Sequence, residues 1–346
     1  MDNINELKCI LNENLNLNKE RTSCLVRMLV ALLITRTINL KKIACAMDSD
    51  AKYSSRYRRA QRFFSSFEMN FDLIAKFIFR IFFSECKAYH LTMDRTNWLW
   101  GKLNINILTL ALVYKGTAIP IYWTLLNKKG NSNTQERIRI VQKFINTFGL
   151  KCIDNLLADR EFIGEEWFKW LNKIGINFCI RIKKDTQTTN SRGQKVEVKT
   201  LFRGLQAGET RSLFGEREIT GTRIYLEGKW MPGGQFLIVA SNVMPGNLIK
   251  LYACRWEIET LFSCLKTKGF NFEDTHITDQ ERIKKLFFLL SVAFCWAHKT
   301  GEWQSEYNPI LIKKHGRPKI SLFRKGLDFL NETILKMHVK VELFKS

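Results

Sequence analysis

Three carboxylates in this sequence lie where they could hold divalent metal ions. Asp94 falls within an apolar stretch, LTMDRTNW, and Asp159 ends another, NLLADREF. A charge inside an apolar strand is costly unless it is paired, hydrogen-bonded or bound to metal. Glu259 lies in a third stretch, YACRWEIETLFSCLK. Oxygen ligands of this kind suit Mg²⁺ or Mn²⁺, and two such ions about 3.5–4 Å apart can support in-line phosphoryl transfer without a side-chain nucleophile.

The third stretch places polar residues at helical spacing. On an ideal helix four of them share a stripe about 60° wide: Tyr252, Arg255, Glu259 and Lys266. Glu257 points elsewhere, so Glu259 is the carboxylate that belongs to the stripe. An amphipathic helix with a single Arg255–Glu259 pair would explain part of the pattern, and the spacing alone leaves both interpretations open.

A sheet and a helix are needed to bring these side chains together. The pattern predicts strands over 90–100, 104–114, 118–126, 153–158 and 177–182, and helices over 133–148 and 165–173. Asn133 with Glu136 three residues later predicts a capping box. Three short-linked antiparallel strands followed by alternating helices and strands is the ribonuclease-H-like order, in which the strands of Asp94 and Asp159 are neighbours.

The whole chain therefore predicts an α/β fold in five segments. A helical DNA-binding domain over 1–85 precedes a ribonuclease-H-like core, a mixed sheet with flanking helices, whose first part covers 86–182. Frequent glycines between short alternating stretches, such as 195–201 and 236–240, predict a β-rich insertion over 183–245. The catalytic core resumes with helices over 246–300, and a basic C-terminal tail covers 301–346.

The charge of the chain points to a polyanionic partner. Its 346 residues include 55 Lys+Arg against 33 Asp+Glu, a formal net charge of +22 with a pI near 9.7. Nucleic acid is the favoured partner. Association with RNA or ribosomes, attraction to a membrane surface and a genome-wide basic bias are the competing explanations.

A local basic cluster agrees with that interpretation. The stretch from 53 to 67 interleaves aromatic residues with arginines: Arg56, Arg58, Arg59 and Arg62. A helix with arginines on one side and aromatics on the other could lie against DNA phosphates. A solvated basic face on a packing helix is the alternative.

The combined pattern resembles the insertion-sequence transposases of family four. The resemblance rests on Y-x2-R-x3-E-x6-K, preceded by one strand Asp and by Asp-Arg-Glu after a later strand. It covers most of the chain from about Tyr53, including the insertion. It implies a cut-and-paste DNA transposase that nicks DNA, forms a hairpin at the transposon end and transfers the strand to target DNA.

The resemblance also assigns roles to individual residues. Asp94, Asp159 and Glu259 would be the catalytic, metal-binding triad, holding two Mg²⁺ ions for which Mn²⁺ can substitute. Residues expected to contact DNA are Tyr252, Arg255, Lys266 and Arg160, besides the four N-terminal arginines. Trp230, the tryptophan of the insertion, is the candidate to receive a flipped base, with hairpin packing as its alternative role.

The expected partners are the double-stranded terminal inverted repeats of a transposon and its target DNA, bound by a homodimer. No membrane role is expected, because the longest apolar run, 286–297, is too short to span a bilayer. The first 20 residues carry no signal-peptide pattern, and nine scattered cysteines without C-x-x-C indicate neither zinc nor disulfides. These features predict a cytoplasmic protein, at the nucleoid of a bacterium by the resemblance.

Three other classes of protein would share some of these features. A tyrosine recombinase would use Tyr252 as nucleophile, but its supporting Arg and His residues are not evident. A simple ribonuclease-H-like nuclease would share the carboxylates without needing the insertion or the basic flanks. A DNA-binding protein without activity would fit the charge but leave the strand aspartates unexplained.

Overall fold

The structure, a computed structural model, describes residues 2–85, 87–314 and 316–343. Cys86, which opens the second expected segment, and residues 315 and 344–346 of the expected tail lie outside them. The first part is helical, as predicted, with five helices: α1 (Asp2–Leu15), α2 (Lys19–Thr35), α3 (Leu40–Ala46), α4 (Tyr53–Ser66) and α5 (Phe71–Phe82).

Strands and helices alternate in the middle of the chain. The elements before the expected insertion are β1 (Tyr89–Trp100), β2 (Leu103–Tyr114), β3 (Thr117–Leu125), α6 (Thr134–Phe148), β4 (Ile153–Ala158), α7 (Glu165–Ile174) and β5 (Asn177–Ile182). Those of the insertion are β6 (Gln187–Thr189), β7 (Lys195–Glu197), β8 (Thr210–Ile219), β9 (Thr222–Met231) and β10 (Gln235–Ser241). The capping box of α6 is present as predicted, with Asn133 and Glu136 each accepting the other's backbone N–H.

The last part is helical again. It contains α8 (Leu248–Ala253), α9 (Glu257–Leu265), α10 (Gln280–Tyr307) and α11 (Leu322–Leu343). Short 3₁₀ turns cover Leu150–Cys152, Val198–Phe202, Cys254–Trp256 and Phe272–Asp274. The end of α10 and the whole of α11 lie within the expected basic C-terminal tail, 301–346.

Contacts divide the chain into two compact units. The first comprises residues 1–81, 98–105 and 262–346, and the second comprises 82–97 and 106–261. The five segments expected from the sequence are grouped differently, since the C-terminal helices belong to the same unit as the N-terminal ones. Such long-range grouping depends on packing between distant helices, which local periodicity does not encode.

The first unit is built around α10. Most of this helix between Ile283 and Ala297 is buried, and it packs against α11 and α2. The backbones of α10 and α11 come close at Gly301 and Gly326, where a Cβ on either glycine would lie within 2 Å of a carbonyl oxygen of the other helix. Only glycine permits this approach.

The second unit carries an eight-stranded mixed sheet in the order β3-β2-β1-β4-β5-β10-β9-β8. Strands β1, β4 and β5 run parallel, whereas β2–β3, β5–β10, β10–β9 and β9–β8 pair antiparallel. The insertion therefore contributes three strands to the main sheet, and only β6 and β7 form a separate small sheet. The strand predicted over 195–201 is wrong beyond Glu197, where a 3₁₀ turn follows.

No single helix among the described residues is long and apolar enough to cross a membrane. The bent pair α2–α3, with an angle of 102° between its helices, passes the same test by length and composition.

Candidate active site

Two neighbouring strands of the second unit carry the two aspartates. Strands β1 and β4 pair in parallel with Met93 opposite Ala158, so the next residue on each chain, Asp94 and Asp159, lies beside the other at the end of β4. Each carboxylate accepts the N–H of the following residue at 2.7 Å, from Arg95 and from Arg160. The adjacency expected from the strand order is confirmed.

Tyr252 reaches the second of these carboxylates from α8. Its side chain is fully buried in an apolar cluster that includes Leu157 and Val239. Its hydroxyl donates to Oδ1 of Asp159 at 3.3 Å. Burial raises the pKa of the Tyr252 hydroxyl, so this group is a hydrogen-bond donor at neutral pH and not a phenolate.

Arg255 joins the other two carboxylates. Its Nη1 donates to Oδ2 of Asp94 at 3.3 Å, and its Nη2 donates to Oε1 of Glu259 at 2.5 Å. The Arg255 side chain is 3% exposed, whereas that of Glu259 is 56% exposed. Its guanidinium also lies 5.4 Å from the centre of the Tyr252 ring. Tyr252 and Arg255 together therefore contact all three predicted carboxylates.

The helix that carries these residues is not continuous, contrary to the expectation of one helix from 252 to 266. A 3₁₀ turn over Cys254–Trp256 separates α8 from α9, and α9 ends at Leu265. Lys266 follows that end and belongs to the first unit, where its ammonium pairs with Glu273 at 2.6 Å and lies 5.5 Å from the Trp98 ring. The structure thus groups Tyr252, Arg255 and Glu259, and it does not group Lys266 with them.

Burial perturbs the titration of Asp94. Desolvation raises the pKa of its carboxyl from 3.8 to about 7, and the Arg95 N–H and the Arg255 guanidinium offset only part of that rise. The ionised form of Asp94 is therefore destabilised by burial, and a further cation nearby would stabilise it.

This shift predicts that Asp94→Asn stabilises the metal-free protein above neutral pH. Because the folded pKa lies above the ordinary value of 3.8, the folded state binds more protons between about pH 4 and pH 7. Ionised Asp94 therefore lowers stability as pH rises through that window. The shift, which already includes the attraction of Arg255, is worth up to about 4 kcal/mol at pH 8.

Urea unfolding in EDTA at several pH values between 4.5 and 8 measures this difference. The gap between variant and wild type should widen with pH. A variant that is less stable than wild type at pH 8 would contradict the assignment of a desolvated charge to Asp94.

A second polar network beside Asp94 was not predicted from the sequence. The Arg95 guanidinium pairs with both oxygens of Glu161 at 2.6 and 2.7 Å and donates to Oδ1 of the buried Asn106 at 2.8 Å. Arg137, which is 4% exposed, donates to the carbonyl oxygens of Ser132 and Glu161. The sequence did place both charged residues beside the two aspartates, since Arg95 directly follows Asp94 and Glu161 ends the Asp-Arg-Glu sequence. Their pairing was not predicted because the two residues are 66 positions apart.

Asp94, Asp159 and Glu259 supply carboxylate oxygens, the kind of donor that a hard divalent cation prefers. Across residues 2–85, 87–314 and 316–343, no three His, Cys, Asp or Glu side chains are grouped closely enough to hold a metal ion as they stand. The Arg255 guanidinium already places a positive charge between Asp94 and Glu259. The local chemistry therefore accepts a cation at this point, and three oxygen-donor groups match the preference of Mg²⁺ or Mn²⁺.

Trp230 and Arg160 line one cavity of about 400 Å³ in the second unit. Its charged and aromatic lining also includes Arg181, Lys183, Lys184, Asp185, Lys199 and Phe236. Trp230 also contacts Phe236 edge-on, with ring centroids 4.4 Å apart, so hairpin packing and a role in lining the cavity coexist. The cavity thus combines two aromatic rings with several cations and one carboxylate.

The four N-terminal arginines on α4 differ in exposure. Arg58, Arg59 and Arg62 are exposed, whereas Arg56 is half-buried and its Nη1 donates to the Met47 carbonyl at 2.7 Å. Arg56 thus ties α4 to the end of α3, and the other three leave their charges facing solvent.

Comparison with known proteins agrees with this geometry. Residues 87–296, more than half of the chain, match the family described as Transposase DDE domain. The chain belongs to this family. The matched part of the transposase includes Asp94, Asp159 and Glu259, and members of the family normally use divalent metal ions.

The transposase also resembles a solved structure in its fold. It is similar to the piggyBac transposase in a cryo-electron microscopy structure of a synaptic complex with hairpin DNA, with 12% identity and a TM-score of 0.48. That likeness covers 93% of this chain and 73% of the other. No curated protein matches the transposase significantly.

Proposed function

We propose that this protein is a cut-and-paste DNA transposase of insertion-sequence family four that works by metal-dependent phosphoryl transfer. The observation that carries the proposal is the direct contact of Tyr252 and Arg255 with three carboxylates from β1, the end of β4 and α9. A DNA-binding protein without activity would have no need for such a cluster, because ionised Asp94 costs stability.

The catalytic core of this proposal is ribonuclease-H-like. Support comes from the strand order β3-β2-β1-β4-β5, with β4 and β5 parallel to β1 and β2–β3 antiparallel. The insertion then extends that sheet through β10, which pairs with β5.

Asp94, Asp159 and Glu259 would hold two divalent metal ions, Mg²⁺ or Mn²⁺. When bound, such ions activate the attacking oxygen and stabilise the leaving oxygen at phosphorus. Glu259 is the ligand free to adjust, because its side chain is more than half exposed. Asp94 and Asp159 are fixed by the strands that carry them.

The chain's own residues supply binding and charge. Tyr252, which is fully buried and donates its hydroxyl hydrogen bond to Asp159, would orient that carboxylate near the scissile phosphate. Arg255 would offset charge that develops on the phosphate, and Lys266 and Arg160 would contact the DNA backbone. Trp230 would stack on a base flipped into the basic cavity that it lines.

The proposed reaction has four steps. Water attacks one phosphodiester, leaving a 3′-OH and a 5′-phosphate. The 3′-OH attacks a phosphodiester of the opposite strand, forming a hairpin and releasing a 3′-OH on the flanking DNA. A second water opens the hairpin and restores the 3′-OH and a 5′-phosphate. The restored 3′-OH then attacks a target phosphodiester, displacing a new 3′-OH. Two protomers would hold the two ends, in the cytoplasm of a bacterium at its nucleoid.

Exposed arginines of α4 give a separate prediction about DNA binding. Replacing Arg58, Arg59 and Arg62 together with Ala should weaken binding of any duplex and flatten its salt dependence. Each lost phosphate contact reduces the slope of log Kd against log salt by roughly 0.9, so the slope should fall by up to about 3.

Fluorescence anisotropy at several salt concentrations measures that slope. The matched control removes three exposed cations of the second unit, Lys151, Lys173 and Arg192. Equal slopes in the two variants would mean that α4 is a solvated basic face, the alternative interpretation of this helix.

The proposed activity is tested by cleavage of a labelled duplex that carries the element's terminal repeat. Reactions contain Mg²⁺, Mn²⁺ or EDTA, and the products are separated on denaturing gels. The proposal predicts a nick followed by a hairpin, in either metal and not in EDTA. Nicks that never become hairpins would indicate a hydrolytic nuclease instead.

A further inference from the structure

The segment that carries Tyr252 and Arg255 is held at its start by a buried carboxylate of the insertion. Glu227 on β9 is 2% exposed. Its Oε2 accepts the Gly246 N–H at 2.8 Å and its Oε1 accepts the Ile249 N–H at 2.9 Å. Ser212 donates a third hydrogen bond from its hydroxyl at 2.9 Å. These three donors satisfy a charge that would otherwise be costly to bury.

Glu227 replaces the ordinary cap of α8. The residue at the N-cap position, Asn247, makes no side-chain capping bond. A helix start leaves backbone N–H groups without partners, and a side-chain oxygen normally accepts one of them. Here the oxygen comes from a strand of the insertion, 22 residues earlier in the chain.

A second carboxylate fastens the far side of the same segment. The Oε2 of Glu257 accepts the Tyr114 N–H at 2.7 Å, and its Oε1 accepts the Gly116 N–H at 3.1 Å. Both donors belong to the tight turn between β2 and β3, where Lys115 and Gly116 have φ of 47° and 87°. Glu257 is thus tied to the core sheet by two backbone groups.

Tyr252 and Arg255 lie between these two attachments. The intervening chain includes the 3₁₀ turn over Cys254–Trp256, so its geometry is not set by one regular helix. The hydrogen bonds of Tyr252 to Asp159 and of Arg255 to Asp94 are both 3.3 Å long, and a small shift of the segment would break them.

We infer that Glu227 and Glu257 are positioning residues, a two-carboxylate clamp that sets Tyr252 and Arg255 against the reacting carboxylates. Through Glu227 the clamp also gives the β insertion a part in aligning the catalytic groups, besides any contact of the insertion with DNA. The inference rests on the proposed function only for its effect on cleavage; the contacts themselves do not depend on it.

Glutamine substitutions test the clamp with little change in volume. In Glu227→Gln the new NH₂ group must face a backbone N–H or displace the Ser212 hydroxyl, so one donor is left unpaired. Glu257→Gln has the same effect at the Tyr114–Gly116 turn. Ser212→Ala removes only one bond to Glu227 and serves where a glutamine variant does not fold. Glu218→Gln, an exposed glutamate on β8, is the matched control.

Hydrogen exchange gives a readout that does not depend on catalysis. We expect exchange to accelerate at least about tenfold at the Gly246 and Ile249 amides in Glu227→Gln, and at the Tyr114 and Gly116 amides in Glu257→Gln. Exchange across 252–259 should rise in both variants and remain unchanged in Glu218→Gln. Ser212→Ala should show a smaller rise at Gly246.

Single-turnover nicking and DNA affinity separate positioning from general destabilisation. Each glutamine variant should nick about 10–100-fold more slowly while its Kd for DNA stays within about twofold of wild type, and Ser212→Ala should nick about 2–5-fold more slowly. Wild-type nicking rates in variants with accelerated exchange would overturn the inference, as would unchanged exchange. If the wild-type protein does not cleave DNA, the proposed function fails, and the exchange pattern across 252–259 still decides the clamp.

Discussion

Glu259→Gln is expected to slow nicking by at least about 1,000-fold, equivalent to about 4 kcal/mol of transition-state stabilisation. The change removes one carboxylate from the proposed metal site but keeps the shape of the side chain and a partner for Arg255. Because the Glu259 side chain is 56% exposed and a glutamine can still accept from Arg255, the variant should fold normally. Single-turnover cleavage of the terminal-repeat duplex in Mg²⁺ measures the rate.

The control for this variant is Glu166→Gln on α7, which is exposed and lies outside the site. Both variants should bind the duplex as tightly as wild type does. Cleavage by Glu259→Gln at the wild-type rate would remove Glu259 from the mechanism.

Arg255→Ala should slow nicking about 100-fold without weakening the binding of divalent metal. Arg255 contributes a buried cation beside the reacting phosphate, and removal of one such preorganised donor typically costs 10²–10³ in rate. The same change leaves Asp94 and Glu259 without their positive partner. Both carboxylates are then available to a metal ion, so Mn²⁺ should bind at least as tightly as in wild type.

Arg255→Lys is the matched control, because it keeps the charge without the planar pair of donors. It should retain part of the activity and bind Mn²⁺ with near wild-type affinity. Loss of Mn²⁺ binding in Arg255→Ala would mean that Arg255 organises the carboxylates as a group. Metal binding by the carboxylates would then not be independent of Arg255.

Local pattern was sufficient to predict the strand that carries Asp94 and the strand that Asp159 directly follows. The bounds of β4 and β5 agree with the predicted ranges, and the capping box of α6 is present. The adjacency of Asp94 and Asp159 was predictable because parallel neighbours in a known strand order bring their ends together. Glu257 also points away from the carboxylates, as the helical spacing predicted.

Contacts between distant residues were not predictable in the same way. Nothing in the local pattern showed that β10 pairs with β5, or that the insertion therefore belongs to the main sheet. The Arg95–Glu161 pair and the hydrogen bond of Glu227 to the start of α8 likewise join residues that come together only in the folded chain. The prediction of one regular helix from 252 to 266 was wrong, because a 3₁₀ turn over Cys254–Trp256 interrupts it.

Asp94, Asp159 and Glu259 are proposed to bind divalent metal together, and the affinity of the protein for Mn²⁺ measures this directly. Electron paramagnetic resonance at low temperature and neutral pH would compare wild type with Asp94→Asn, Asp159→Asn and Glu259→Gln, and with Glu166→Gln as control. Each of the first three variants should lose at least about tenfold in Mn²⁺ affinity, whereas the control should not. Wild-type affinity in all three would contradict this proposal.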